Sequence, residues 1–211
     1  MTRPLPVSPT LQAAIDAIVD AAAKPDRLDR IDAVLRDTTN RFHSLGRLIH
    51  EEGDDEVLLH ASEALTIYHI TLTPGLHYPP HNHLMDALIG IYLGRETNFF
   101  YAGSDGRLQM PQTHDVIAPA VVHLHPDAVH SVANTGSARS GALHVYLGNL
   151  PQTRRQMWRF AGERPEAFDN ERYLAGARPI ADGPSPGEAG EAASRRAHAA
   201  PFNRARSSSA S

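Results

Sequence analysis

The spacing of apolar positions changes twice along the chain. From Ser8 onward, Leu11, Ile15 and Ile18 recur at the helical period, with Ser8 placed to cap a helix from Pro9 to Lys24. Pro25 ends that pattern. A second amphipathic helix follows, with Leu28, Ile31, Val34 and Leu35 on one stripe and the charges elsewhere. From about Glu56 to Asn149 the period shortens to that of strands. Leu65–Leu72, Ala87–Leu93, Thr97–Tyr101 and Gly141–Gly148 are rich in β-branched and aromatic residues, with shorter segments near Val116, Val121–His123 and Val129–Asn134. Gly94-Arg95 and Asp105-Gly106 mark turns between them. Many short strands at regular spacing predict an antiparallel sandwich or barrel of jelly-roll type. Past Leu150, amphipathic pieces around Met157–Phe160 and Phe168–Leu174 are placed to pack on that core. Beyond about Pro179 the chain is Ala, Gly, Pro, Ser and Arg with a single aromatic, Phe202, and is expected to be disordered. The organisation read from these shifts is a helical cover at 1–50, a barrel at 51–150, a helical or irregular packing segment at 151–178 and a disordered tail at 179–211.

Composition narrows the class. The 211 residues suit one domain with extensions, and a hydrophobic fraction of 41% suits a packed core. Lys plus Arg is 20 against 24 Asp plus Glu, a net charge of −4, which argues against nucleic acid as a partner. No apolar run reaches the roughly 20 residues of a membrane span. Met1–Val7 has no apolar core of a signal peptide, so a cytoplasmic location is expected. There is no cysteine, which removes disulfides, iron–sulfur clusters and thiolate zinc sites from consideration. Histidine is abundant: 13 in the chain, ten of them between His60 and His144.

Position gives those histidines meaning. In Gly75-Leu-His-Tyr-Pro-Pro-His81-Asn-His83, residues 81 and 83 project from one face of an extended strand and can share an ion. One strand cannot surround an ion, so a third ligand must come from elsewhere, and His130 in Val129–Asn134 is the candidate.

These segments resemble the two motifs of the cupin superfamily. Gly75, His81, His83 and Gly94 match the first motif, and His130 and Asn134 match the second. The resemblance spans about residues 55–150 and implies an all-β core, a double-stranded β-helix (cupin or jelly-roll barrel) with N-terminal helices. The motif's glutamate is missing: Ala87 and Leu88 stand at its positions, and Asp86 lies one place too early, on the face of Leu88. Three neutral imidazoles would leave a divalent ion its full charge and open positions, favouring anionic ligands.

Three-histidine cupins without the glutamate are typified by cysteine dioxygenases and related thiol dioxygenases. The strand Ala142-Leu-His144-Val-Tyr146 is similar to the Ser-x-His-x-Tyr strand of that family, with Ala142 in place of the serine. The resemblance implies Fe(2+) held by His81, His83 and His130. It gives Tyr146 the role of orienting substrate or oxygen, with His144 hydrogen-bonded to its hydroxyl. The implied function is a mononuclear non-haem iron dioxygenase that converts a small organic thiol, cysteine or a relative, to a sulfinate with O2, acting as a monomer or homodimer. Two departures separate the chain from the animal enzymes. Leu88 stands near the place of their crosslinked cysteine, and no arginine lies between Arg47 and His81, where they hold the substrate carboxylate. Arg95 and Arg139 are read as exposed or in a polar loop. The alternatives are another metal-dependent cupin enzyme, a carbon-substrate oxygenase, hydrolase or isomerase, or a non-catalytic small-molecule-binding cupin.

Among the other histidines, His77 shares strand parity with His81 and is expected at the cavity mouth. His60 and His69 are read mainly as packing residues, able to contact an anion. His123 and His125 fall on one face near a loop and are read as surface residues.

Overall fold

A computed structural model of the chain describes residues 7–45, 56–104, 107–109, 111–160 and 164–180. The expected turn at Asp105-Gly106 and the tail beyond residue 180 lie outside the described residues. In chain order the elements are helices α1 (Pro9–Ala22) and α2 (Arg27–Leu45), then strands β1 (Glu56–Ala61), β2 (Thr66–Leu72), β3 (Leu76–His77), β4 (His81–Asn82), β5 (Ala87–Leu93) and β6 (Arg95–Tyr101). Strands β7 (Gly103–Ser104), β8 (Arg107–Leu108), β9 (Gln112–Ile117), β10 (Ala120–Leu124), β11 (Val129–Ala133) and β12 (Ser140–Tyr146) follow. After the barrel come β13 (Gln156–Met157), β14 (Glu166–Ala167), α3 (Asn170–Ala175) and β15 (Arg178–Pro179).

Local chemistry sets the helices. Ser8 Oγ accepts from Leu11 N at 3.2 Å, and Pro9 occupies the first turn, where its missing N–H costs nothing. Leu11, Ala14, Ile15, Ile18 and Ala21 form the buried stripe of α1. In α2 the buried positions are Ile31, Leu35, Thr38, Thr39 and Phe42. A Cβ on Gly90 would lie 2.9 Å from Thr39 Cγ2 and 3.1 Å from Leu35 Cδ2, so α2 rests directly on β5 where the side chain is absent. Gly94, at φ +79°, turns the chain from β5 into β6.

All strand pairs are antiparallel, in two main sheets. The first has the order β1-β2-β12-β5-β10. In the second, β11 is central. It pairs with β6 on one side, which pairs on to β9, and with β3 and β4 on the other. β13 extends β4, and β15 extends β3. The architecture is that of a double-stranded β-helix. Alternation sorts the first sheet cleanly. Ile67, Leu88, Leu143 and Val145 face α1 and α2, whereas Ala87, Ile89, Ile91, Ala142 and Tyr146 face the barrel interior. Each fully buried Leu or Ile side chain contributes about 1.5–3 kcal/mol, so the helical layer is a substantial part of the stability. Tyr78, Ile70, Val132, Met157 and Tyr173 close the space beside the second sheet.

Two sequence expectations change here. The piece at Met157 is a strand, because its backbone is drawn onto β4, with Met157 paired to His81. His77 does not line the cavity mouth. Its Nε2 lies 2.7 Å from Ser131 Oγ and its ring stacks on Phe99 at 4.5 Å, on the opposite side of the sheet from His130. Strand parity does not carry from β3 to β4, because Tyr78-Pro79-Pro80 interrupts the strand. His69 faces the helical layer, with Nε2 at 2.8 Å from Tyr92 Oη.

Burial holds His69 and His77 down to about 4, the latter with help from the Arg178 charge. The unfolded chain therefore takes up these protons first as pH falls, so stability is full above about 6.5 and drains away toward pH 4. Glu96, buried beside Ser140 and pushed up to about 7, gives the opposite slope but is one group against six lowered histidines. The melting temperature of metal-free protein should fall by about 5–10 °C between pH 7 and pH 5, with a shallower slope in His69→Gln. Calorimetry giving a flat profile would contradict this.

Candidate metal centre

His81 and His130 are direct partners across the β4–β11 pair, so both imidazoles leave the same face of the second sheet. His83 follows β4, just before Leu84 bends the chain with φ +60°. All three are buried, at 6%, 2% and 2% exposure. One nitrogen from each lies within 4.8 Å of the others, and the Nε2 atoms of His81 and His83 are 3.1 Å apart. Two nitrogens each about 2.0–2.1 Å from one ion are separated by about 3–3.4 Å at right-angle to tetrahedral geometry, so this spacing suits a shared ion.

Hydrogen bonding fixes which nitrogens are free. The Pro79 carbonyl can only accept, so at 3.1 Å it requires His81 to donate from Nδ1, leaving a lone pair on Nε2. His130 Nδ1 donates to Asn98 Oδ1 at 3.0 Å. Its Nε2 is buried with no partner, as are His83 Nδ1 and His144 Nε2. Buried polar atoms are rarely left unpaired, and here the orphaned His130 Nε2 belongs to a convergent set of imidazoles. Burial lowers His81 and His83 well below the usual histidine value and His130 to about 4, with the Arg155 charge adding to each. The rings are neutral at pH 7, the form that binds metal. The residues fit a divalent transition ion.

Strand β12 lies behind this cluster. Ala142, His144 and Tyr146 share the inward face, and His144 Nδ1 is 3.1 Å from Tyr146 Oη. The Tyr146 ring is 4.9 Å from His83. Burial raises the Tyr146 phenol above its ordinary value and lowers His144 to about 3. When Nδ1 of His144 carries the proton, it donates to the phenol oxygen, and the phenol O–H is left to donate into the cavity. Asp86 is not with the cluster. It pairs instead with His123 at 2.8 Å, because its parity is that of Leu88.

The cluster opens on a cavity of about 1330 Å³, lined also by Tyr68, Arg155, Phe168 and Tyr173. Arg155 escaped the sequence reading. It stands two residues before Met157, the partner of His81, so β13 delivers it to the cavity side. Its guanidinium lies 3.3 Å above the Phe168 ring. Tyr173, from α3, stacks edge-on to His81 at 4.9 Å. Asn98 was also missed. Neither residue has a spacing rule to reveal it, since each depends on which strand lies next to which.

No family model and no curated protein matches the chain. Among solved structures it is similar to an RmlC-like cupin family protein with a double-stranded β-helix fold from Methanocaldococcus jannaschii. That match has 20% identity over 49% of this chain and 90% of the other, with a TM-score of 0.39. A cupin superfamily protein from Desulfitobacterium hafniense gives 20%, 51%, 87% and 0.39 for the same quantities. Oxalate decarboxylase from Bacillus subtilis, described with Mn(II) centres, gives 19% identity over 47% of this chain and 27% of that chain, with a TM-score of 0.39. The chain thus spans about a quarter of that enzyme.

In metal-free protein at pH 7, nitrogen-15 NMR should find His81 and His130 as Nδ1–H tautomers, with His130 taking a second proton only near pH 4. Protonation of His130 already at pH 6 would contradict the burial argument.

Proposed function

We propose that this chain is a mononuclear non-haem iron dioxygenase. His81, His83 and His130 would hold Fe(2+), and the substrate is a small organic anion, in first place a thiol oxidised to its sulfinate. The observation that carries the reading is the convergence of three neutral imidazoles, with no carboxylate among them, at a cavity also lined by Arg155 and Tyr146. Such a ligand set leaves the ion its whole positive charge and favours an anionic substrate ligand. Bound there, the ion would supply the activation of dioxygen.

The chain's own groups do the rest. Asn98 and the Pro79 carbonyl hold the rings of His130 and His81 in the orientation that presents Nε2. Arg155, steadied over Phe168, holds a second anionic group of the substrate such as a carboxylate. Tyr146, supported by His144, donates a hydrogen bond at the reacting end. Tyr68, Phe168 and Tyr173 give the cavity an aromatic wall. The overall change balances as thiol plus O2 giving sulfinic acid: both oxygen atoms go to sulfur, and the S–H proton is released when the acid ionises.

The cavity's size and aromatic lining favour a second reading, a dioxygenase for a bulkier carbon acid. Oxygen uptake by iron-loaded protein separates the two. The expected result is uptake with thiols, abolished in His130→Ala. In Arg155→Gln the KM should rise roughly 10–100-fold for thiols that carry a carboxylate, the loss of a charge-assisted hydrogen bond, with little change for thiols lacking one. Uptake on carbon acids with silence across the thiols would transfer the assignment to the second reading, and silence on both would remove it.

A further inference from the structure

Asp86, left out of the buried centre, belongs to a second cluster. The register of β5 and β10 sets His123 opposite Leu88 and Leu124 opposite Ala87. One step further along, His125 comes level with Asp86. His123 and His125, two apart, share a face with Asp86, on the side of the sheet away from the barrel interior. His123 Nε2 is 2.8 Å from Asp86 Oδ1, and the two imidazole rings lie 4.5 Å apart. One ligand atom from each of the three lies within 4.8 Å of the others.

The backbone at Asp86 and His125 is hydrogen-bonded. Leu147 N donates to the Asp86 carbonyl at 2.9 Å, and Ala128 N donates to the His125 carbonyl at 3.0 Å. The His125 ring makes no hydrogen bond among the described residues, so it is available as a ligand. Both histidines are exposed and Asp86 is half-buried, which leaves room for water to complete a coordination sphere.

We infer that Asp86, His123 and His125 form a second metal site for a divalent transition ion of the zinc class. Two imidazoles and one carboxylate form a donor set suited to such ions. The ion would replace the His123–Asp86 hydrogen bond with two metal–ligand bonds and recruit His125. It would thereby tie the end of β10 to the start of β5, three residues from His83. This site is separate from the buried imidazoles and does not depend on the function proposed for them.

Zinc is the probe. Equilibrium dialysis of the full chain against Zn(2+), with a weak chelator present, should give two equivalents for the wild type. His123→Ala/His125→Ala should take one, His130→Ala one, and the three changes together none. Zinc should raise the melting temperature of His130→Ala but not of His125→Ala/His130→Ala. His123 and His125 are exposed, so their substitution leaves the core untouched, whereas His130→Ala truncates a buried ring. Should that variant not fold, the loss of one equivalent between wild type and His123→Ala/His125→Ala carries the test. One equivalent in the wild type, unaffected by His125→Ala, would overturn the surface site, leaving only a hydrogen-bonded His–Asp pair. One equivalent lost in His125→Ala but kept in His130→Ala would uphold the surface site and remove the buried centre instead.

Discussion

The pairing of His81 with His130 across β4 and β11 is the constraint on which the rest of the centre depends. Side chains alternate along a strand, so a slip of one residue in this register would turn one imidazole to the far side of the sheet. The neighbouring strands extend the same row. Asn98 reaches His130 from β6, two residues from its direct partner Phe100, and β13 sets Met157 against His81 with Arg155 two residues earlier. An orienting amide, two imidazoles and a guanidinium are thus laid side by side by backbone hydrogen bonds alone. The helices hold the opposite sheet, which brings His144 and Tyr146 up to this row from the other wall.

The electrostatics of the row follow from its burial. The imidazoles stay neutral because a charged ring has no water to solvate it there, and the nearby guanidinium makes protonation costlier still. With no carboxylate in the cluster, nothing within it offsets the charge of an added cation. The cavity lining carries the Arg155 guanidinium and the Tyr146 phenol, with Glu56, Glu166 and Asp169 also on it.

Local order was legible in the sequence. Helix α1 could be read from Ser8, Pro9 and the spacing of its apolar stripe, because capping and amphipathic burial act within a few residues. The inward face of Ala142, His144 and Tyr146 could be read from alternation in an unbroken strand. The same rule misplaced His77, since two prolines stand between it and His81 and the chain changes direction there. It placed Asp86 correctly, on the face of Leu88 and apart from the three imidazoles. Arg155 and Asn98 were illegible for a different reason. Their positions are set by which strand lies beside which, a long-range fact that no short spacing encodes. Arg155 in particular stands after residue 150, just ahead of the two-residue strand β13 that β4 takes up at its edge.

That short added strand divides labour within the molecule. The three converging imidazoles arise from the barrel, whereas the guanidinium and the rings of Phe168 and Tyr173 arise from the stretch that follows it. An engineer could therefore change the side chains at Arg155, Phe168 and Tyr173 and alter what the cavity accepts, while the backbone pairing of Met157 with His81 keeps the imidazoles in place. The barrel behaves as a fixed socket, and those side chains as an exchangeable faceplate.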